Sequence, residues 1–132
     1  MKRETFVKTL EAIQKLQGED NEKPAMKELA AEVGLSRPVI TNYIDTLVSV
    51  GVLTKLYSIN EDISNRGYGA EIIKFIKQYQ EENKCAPSAK ALSEKYGKSM
   101  AWVSAKLTRC RLLRILTKRY KIDMDLFGRL RV

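Results

Sequence analysis

Shifted by 63 residues against itself, the chain aligns residues 5–69 on 68–132 without a gap, and 15 of the 65 pairs are identical. Unrelated segments would share about four by composition. The identities include Gln17/Gln80, Pro24/Pro87, Leu29/Leu92, Gly34/Gly97 and Ser36/Ser99, and the run Leu-Thr-Lys-x-Tyr-x-Ile recurs at 53–59 and 116–122. Many other pairs keep polarity, such as Ile40/Val103, Ile44/Leu107 and Val50/Leu113. A tandem duplication of this kind must build two similar small units, so any reading of one constrains the other. The units are residues 1–67 and 68–132, and Asn65-Arg66-Gly67-Tyr68-Gly69 marks the boundary.

Each unit is short enough to be read by pattern. A first helix is expected over about 5–17, with Phe6, Val7, Leu10, Ile13 and Leu16 on one face. Its counterpart is expected over about 70–81, with Ile72, Ile73, Ile76 and Tyr79. Pro24 and Pro87 suit the first turn of second helices at about 25–33 and 88–96, anchored by Leu29 and Leu92. Gly34 and Gly97 can take a left-handed turn, and Ser36 and Ser99 are natural N-caps for third helices at about 37–50 and 100–113. The alternating run after each third helix reads as a strand. Two lone strands of the same pattern are expected to pair with each other, which removes exposed edges.

The chemistry available is narrow. The 132 residues contain no histidine and two cysteines, Cys85 and Cys110, which excludes most zinc sites and histidine-based triads. Cys110 aligns with Leu47 and is expected in the core. No glycine-rich phosphate loop is present. An enzyme is not expected, nor is a metal or cofactor. No stretch approaches the roughly 20 apolar residues of a membrane span, and the start lacks an apolar signal core. The expectation is a cytoplasmic, nucleoid-associated protein.

The net charge of +8 is uneven along the chain. Residues 1–66 carry 9 basic and 10 acidic side chains, whereas residues 67–132 carry 15 and 6. Such polarity points to a polyanion met mainly by the second half.

The segment from Leu29 to Leu53, with its helix leucine, turn Gly34, cap Ser36, third helix and closing Gly51-Val52-Leu53, resembles the winged helix-turn-helix superfamily of DNA-binding regulators. The second repeat keeps Leu92, Gly97, Ser99, Val103 and Leu107 but has Arg114 where the first has Gly51. The resemblance implies a mainly α fold of two tandem helix-turn-helix units, each of three helices followed by a short strand or truncated wing. It also implies that the third helices are recognition helices.

A major groove about 12 Å wide accepts one helix, whose N-terminal side chains reach base edges. In the first repeat Ile40, Ile44 and Leu47 take the core phase, which turns Pro38, Thr41, Asn42 and Asp45 outward, with Arg37 at the entering end. Asn42 suits adenine, Arg37 suits guanine or phosphate, and Asp45 opposes phosphate. In the second repeat Val103, Leu107 and Cys110 take the core phase. Ala101, Ser104, Ala105 and Thr108 then face outward, flanked by Lys98, Lys106, Arg109 and Arg111. Small residues let a helix sit deep in the groove, and basic flanks meet phosphates. Lys118, Arg119 and Lys121 extend the positive surface onto the strand, and Arg129 and Arg131 continue it through the tail. Trp102 and the outward Leu112 suit a homodimer or another protein contact.

The expected function is sequence-specific binding of double-stranded DNA as a transcriptional regulator, with two recognition helices about 34 Å apart. One alternative is a plasmid or phage replication-initiation or partition protein. Another is a tandem winged-helix adaptor whose acidic first repeat meets a protein partner.

Overall fold

The computed structural model describes residues 1–17, 22–60 and 70–132. Among the described residues are seven helices and two strands. In chain order they are α1 (Arg3–Gln17), α2 (Met26–Val33), α3 (Arg37–Ser49), β1 (Leu53–Ile59), α4 (Ala70–Asn83), α5 (Ala89–Tyr96), α6 (Met100–Leu112), β2 (Leu116–Ile122) and α7 (Met124–Arg131). No helix among the described residues is long and apolar enough to cross a membrane. The boundary segment 65–69 lies outside the described residues.

Two compact units make up the chain: Met1–Lys55 with Arg119–Val132, and Leu56–Lys118. In the first, the helical spacing of Leu10 and Ile13 on α1 and of Ile40, Ile44 and Leu47 on α3 directs those side chains to one core with Leu29 and Leu53. The same core receives Tyr120 from β2 and Phe127 from α7, with Ile122, Leu126 and Leu130 packed against it. Helix α7 lies on α1, where Arg131 pairs with Glu11 at 3.5 Å.

The core of the second unit joins Ile72, Ile73 and Ile76 of α4 to Leu92 of α5, Val103 and Cys110 of α6, and Ile115 and Leu116. Tyr57 and Ile59, from the strand of the first repeat, pack against it. Each core therefore takes in residues from the strand of the other repeat as well as from its own.

The two strands form one antiparallel pair, as their shared pattern predicts. Asp123 donates its N–H to the Val52 carbonyl at 2.9 Å, and Asn60 donates to Ile115 at 2.9 Å. These bonds bracket a register in which Leu53 faces Ile122 and Ile59 faces Leu116. One glutamine in each unit completes the arrangement. The Gln17 amide accepts from Tyr120 N–H at 2.8 Å and donates to Tyr120 O at 2.9 Å. Gln80 does the same with Tyr57, at 2.7 and 3.1 Å. Both members of each pair are identities of the repeat, so one duplicated pair of residues has been used in crossed fashion.

The observed elements depart from expectation in three places. Helix α7 occupies what the pattern left as a basic tail, with Asp123 accepting from Asp125 and Leu126 N–H as its N-cap. Pro24 and Pro87 are buried and stand one residue before the caps Ala25 and Ser88, not within the first turn. Ser36 sits at the N-cap of α3 but its side chain makes no capping bond, whereas Ser99 accepts from Trp102 N–H. Pro38, the second residue of α3, has no N–H to offer, and the Val39 N–H, which aligns with that of Trp102, is not bonded to the Ser36 hydroxyl.

Gly51 and the aligned Arg114 both hold left-handed backbone, at φ 85° and 60°. A side chain there costs about 1–2 kcal/mol, which glycine avoids at some cost in chain entropy. Arg114→Gly is therefore expected to raise stability by about 0.5–1 kcal/mol and Gly51→Arg to lower it comparably, read from urea denaturation midpoints.

Tyr120 is 1% exposed, and its buried hydroxyl meets no hydrogen-bonding group among the described residues. Burial, reinforced by the Asp45 charge, pushes its phenol up to about 12 from the ordinary 10. The unfolded chain thus loses this proton first, so the neutral phenol's contribution is intact below pH 10 and fades between pH 10 and 12. Tyr120→Phe is expected to keep or raise the melting temperature at pH 7 and to flatten its alkaline decline, measured by thermal melts across pH.

Candidate functional site

Helices α3 and α6 present contrasting surfaces. Helix α3 buries Ile40, Tyr43, Ile44 and Leu47, and leaves Arg37, Pro38, Asn42 and Asp45 exposed. Thr41 is half-buried, and its hydroxyl donates back to the Arg37 carbonyl at 2.8 Å within its own helix. Tyr43, unassigned by the core pattern, packs edge-on against Phe6 at 4.7 Å, and its hydroxyl accepts from Lys2 N–H at 3.1 Å.

Helix α6 fully buries only Val103 and Cys110. Leu107 is half-buried, and Ala101, Ser104, Ala105, Thr108, Arg109 and Arg111 are exposed. The face expected to be small and flanked by cations is thus displayed. Burial pushes the Cys110 thiol up, against the opposing pull of Lys106, and keeps it protonated and inert. Neither Cys85 nor Cys110 is in a disulfide.

The DNA-contact nominees do not fall in one unit. Arg37, Thr41, Asn42 and Arg119 belong to the first, while Lys98, Ser104, Ala105, Lys106, Thr108, Arg109, Arg111 and Lys118 belong to the second. Lys118 and Arg119 are half-buried, and the buried Arg119 Nε has no hydrogen-bond partner among the described residues. Lys121 is exposed in the first unit, as are Arg129 and Arg131 on α7. Counted by unit, the first carries 12 basic and 10 acidic residues and the second 12 and 6. The charge contrast between sequence halves is therefore softened, because β2 and α7 bring four cations to the first core. Desolvation also raises the Tyr57 phenol, partly countered by the Arg111 charge, so Arg111 acts at the strand end of the same unit.

Lys98 and Lys106 are brought together. Their ammonium groups lie 5.9 and 5.4 Å from the centre of the Trp102 ring, which packs at 6.1 Å from Tyr96. Phe75 continues this aromatic cluster, 6.1 Å from Tyr96 and 5.9 Å from Tyr79. An open pocket of about 370 Å³ is lined by Ala70, Glu71, Ile72, Tyr96, Lys98, Trp102 and Lys106. The motif reading missed Phe75, Tyr96 and the pocket. A position-by-position comparison of the repeats carries the signal, because Ala12, Val33 and Val39 stand where Phe75, Tyr96 and Trp102 occur.

Leu112 is 77% exposed, as its phase predicts, and Leu113 is 54% exposed beside it. Trp102 is half-buried against its own unit.

The entry of each third helix rests on unequal caps. Ser99→Ala is expected to cost about 1 kcal/mol and Ser36→Ala only a few tenths, as measured by chemical denaturation of the full chain.

No family model matches the chain, and neither a curated protein nor a solved structure is detectably similar to it.

Proposed function

We propose that the protein binds double-stranded DNA through a tandem helix-turn-helix arrangement and acts as a sequence-specific regulator. The observation that carries this reading is the exposed face of α6. Ser104, Ala105 and Thr108 form a low, polar surface, and Arg109 and Arg111 are exposed beside it. A helix of this kind fits a major groove closely while its cations meet phosphate. The duplicated α2–turn–α3 and α5–turn–α6 segments, with left-handed Gly34 and Gly97 at their corners, support two reading heads in one chain. In the first unit Arg37 and Asn42 are the base-reading candidates, and Asp45 limits that helix to a site where it avoids phosphate. A regulator needs only grooves and phosphates, and so do replication-initiation and partition proteins.

A protein-interaction adaptor is the second reading. Exposed Leu112 and Leu113 favour it, because adjacent apolar side chains at a helix end suit a protein partner better than a phosphate backbone.

The test is fluorescence-anisotropy binding to random duplex DNA across a salt series, comparing the wild type with Arg109→Ala/Arg111→Ala. Wild-type affinity should fall steeply with salt, and the log–log slope should shrink by about 0.9 for each phosphate that the variant leaves without a cation. Absence of binding at low salt rejects the DNA reading. A pull-down that then depends on Leu112 and Leu113 supports the adaptor.

A further inference from the structure

We propose that the pocket beside Trp102 binds a small planar aromatic anion, a ring that carries one carboxylate or phosphate. The duplication supplies the point of reference. The residues that line the pocket align with Val7, Lys8, Thr9, Val33, Leu35, Val39 and Tyr43 of the first repeat. There Phe6 and Tyr43 pack against each other, ring centres 4.7 Å apart, and Leu35 and Val33 pack onto the core. In the second repeat Phe6 is replaced by glycine in sequence and Tyr43 by Lys106. Leu35 has become Lys98. At these aligned positions the second repeat has two fewer aromatic residues and two more cations in sequence.

The new side chains have a common chemistry. Val33 and Val39 have become Tyr96 and Trp102, so the wall has gained two aromatic surfaces where it had aliphatic ones. Tyr96 is held by its hydroxyl, which donates to the Glu71 carbonyl at 3.1 Å. Lys98 is fixed at its backbone, with its N–H donating to Ser93 O at 3.1 Å and its carbonyl accepting from the Ser93 hydroxyl. Among the described residues, the two ammonium groups and the Glu71 carboxylate leave one net positive charge along the wall. An anion is preferred for that reason, and an aromatic ring matches the Tyr96 and Trp102 faces. The start of α4, at Ala70–Ile72, adds the partial positive charge of a helix N-terminus. A volume of about 370 Å³ accommodates a bicyclic acid or a nucleoside monophosphate, at the small end of ligand pockets.

Lys98 and Lys106 are also phosphate-facing candidates in the DNA reading, so the test of this site contains no DNA. Trp102 is the single tryptophan, so its indole N–H gives one isolated reporter signal in a ¹H–¹⁵N spectrum of the full chain. The probes are indole-3-acetate, 2-naphthoate and adenosine monophosphate, with acetate and tryptamine as controls. Saturable shifts of the indole signal are expected for the aromatic anions and not for the controls. Response to the carboxylates alone identifies a carboxylate ligand, and response to the nucleotide alone identifies a phosphate ligand. Lys98→Leu/Lys106→Tyr, which restores the residues of the first repeat, should weaken binding by about tenfold or more. Lys98→Glu at an exposed position should do the same without changing the packing. Failure of all three probes to give a saturable shift at about 5 mM overturns the proposal, as does equal binding of tryptamine.

Discussion

Two glutamine side chains hold the arrangement on which the rest of the molecule depends. Gln17 and Gln80 each satisfy both backbone groups of a tyrosine residue, Tyr120 and Tyr57 respectively, on a strand contributed by the other repeat. A strand in a two-stranded pair has one free edge, and free edges are costly when buried and hazardous when exposed. A primary amide is the side chain that copies a peptide group, since it donates and accepts in one plane. By offering it at the end of the first helix, each unit pairs the outer side of the incoming strand at one residue. The tyrosine or its neighbours then close the core, with Tyr120 and Phe127 in one unit and Tyr57 and Ile59 in the other.

Much of this architecture was legible along the chain. Leu10, Ile13, Ile40, Ile44 and Leu47 lie at helical spacing, and their burial follows from that spacing alone. Both strands carry an alternating pattern that no helix would tolerate, and they appear at the expected residues. What escaped the reading depends on partners distant in sequence. The Gln17–Tyr120 bonds span 103 residues and leave no local trace. Helix α7 is short and contains Gly128, and its apolar residues acquire meaning only against α1. The outward face of α6 was legible from helical phase, whereas the Trp102 pocket emerges only when the two repeats are set residue against residue.

The copies have diverged in chemistry while keeping their frame. The retained identities include turn, cap and strand residues, which set backbone geometry, and helix residues such as Gln17/Gln80 and Leu29/Leu92 that face the strands and cores. The differences gather on surfaces. The first repeat keeps Phe6 and Tyr43 packed together and has Asp45 on its third helix, whereas the second has Lys98, Lys106 and Trp102 around a pocket and small residues on α6. A single chain can thus carry two different surfaces without disturbing the bonds that support both.

The path of the chain through the units has a consequence for synthesis. The second unit is continuous, Leu56–Lys118, but the first is interrupted and regains its last segment only at Arg119–Val132. A chain emerging from the ribosome therefore exposes the α1–α3 core before Tyr120 and Phe127 exist to cover it. The later-made unit can finish first, and the earlier-made one must wait. Closing so long a loop adds little equilibrium cost, since the penalty grows only with the logarithm of length. It is a delay rather than a weakness, and it gives the nascent first core an interval of dependence on whatever shields apolar surface during translation.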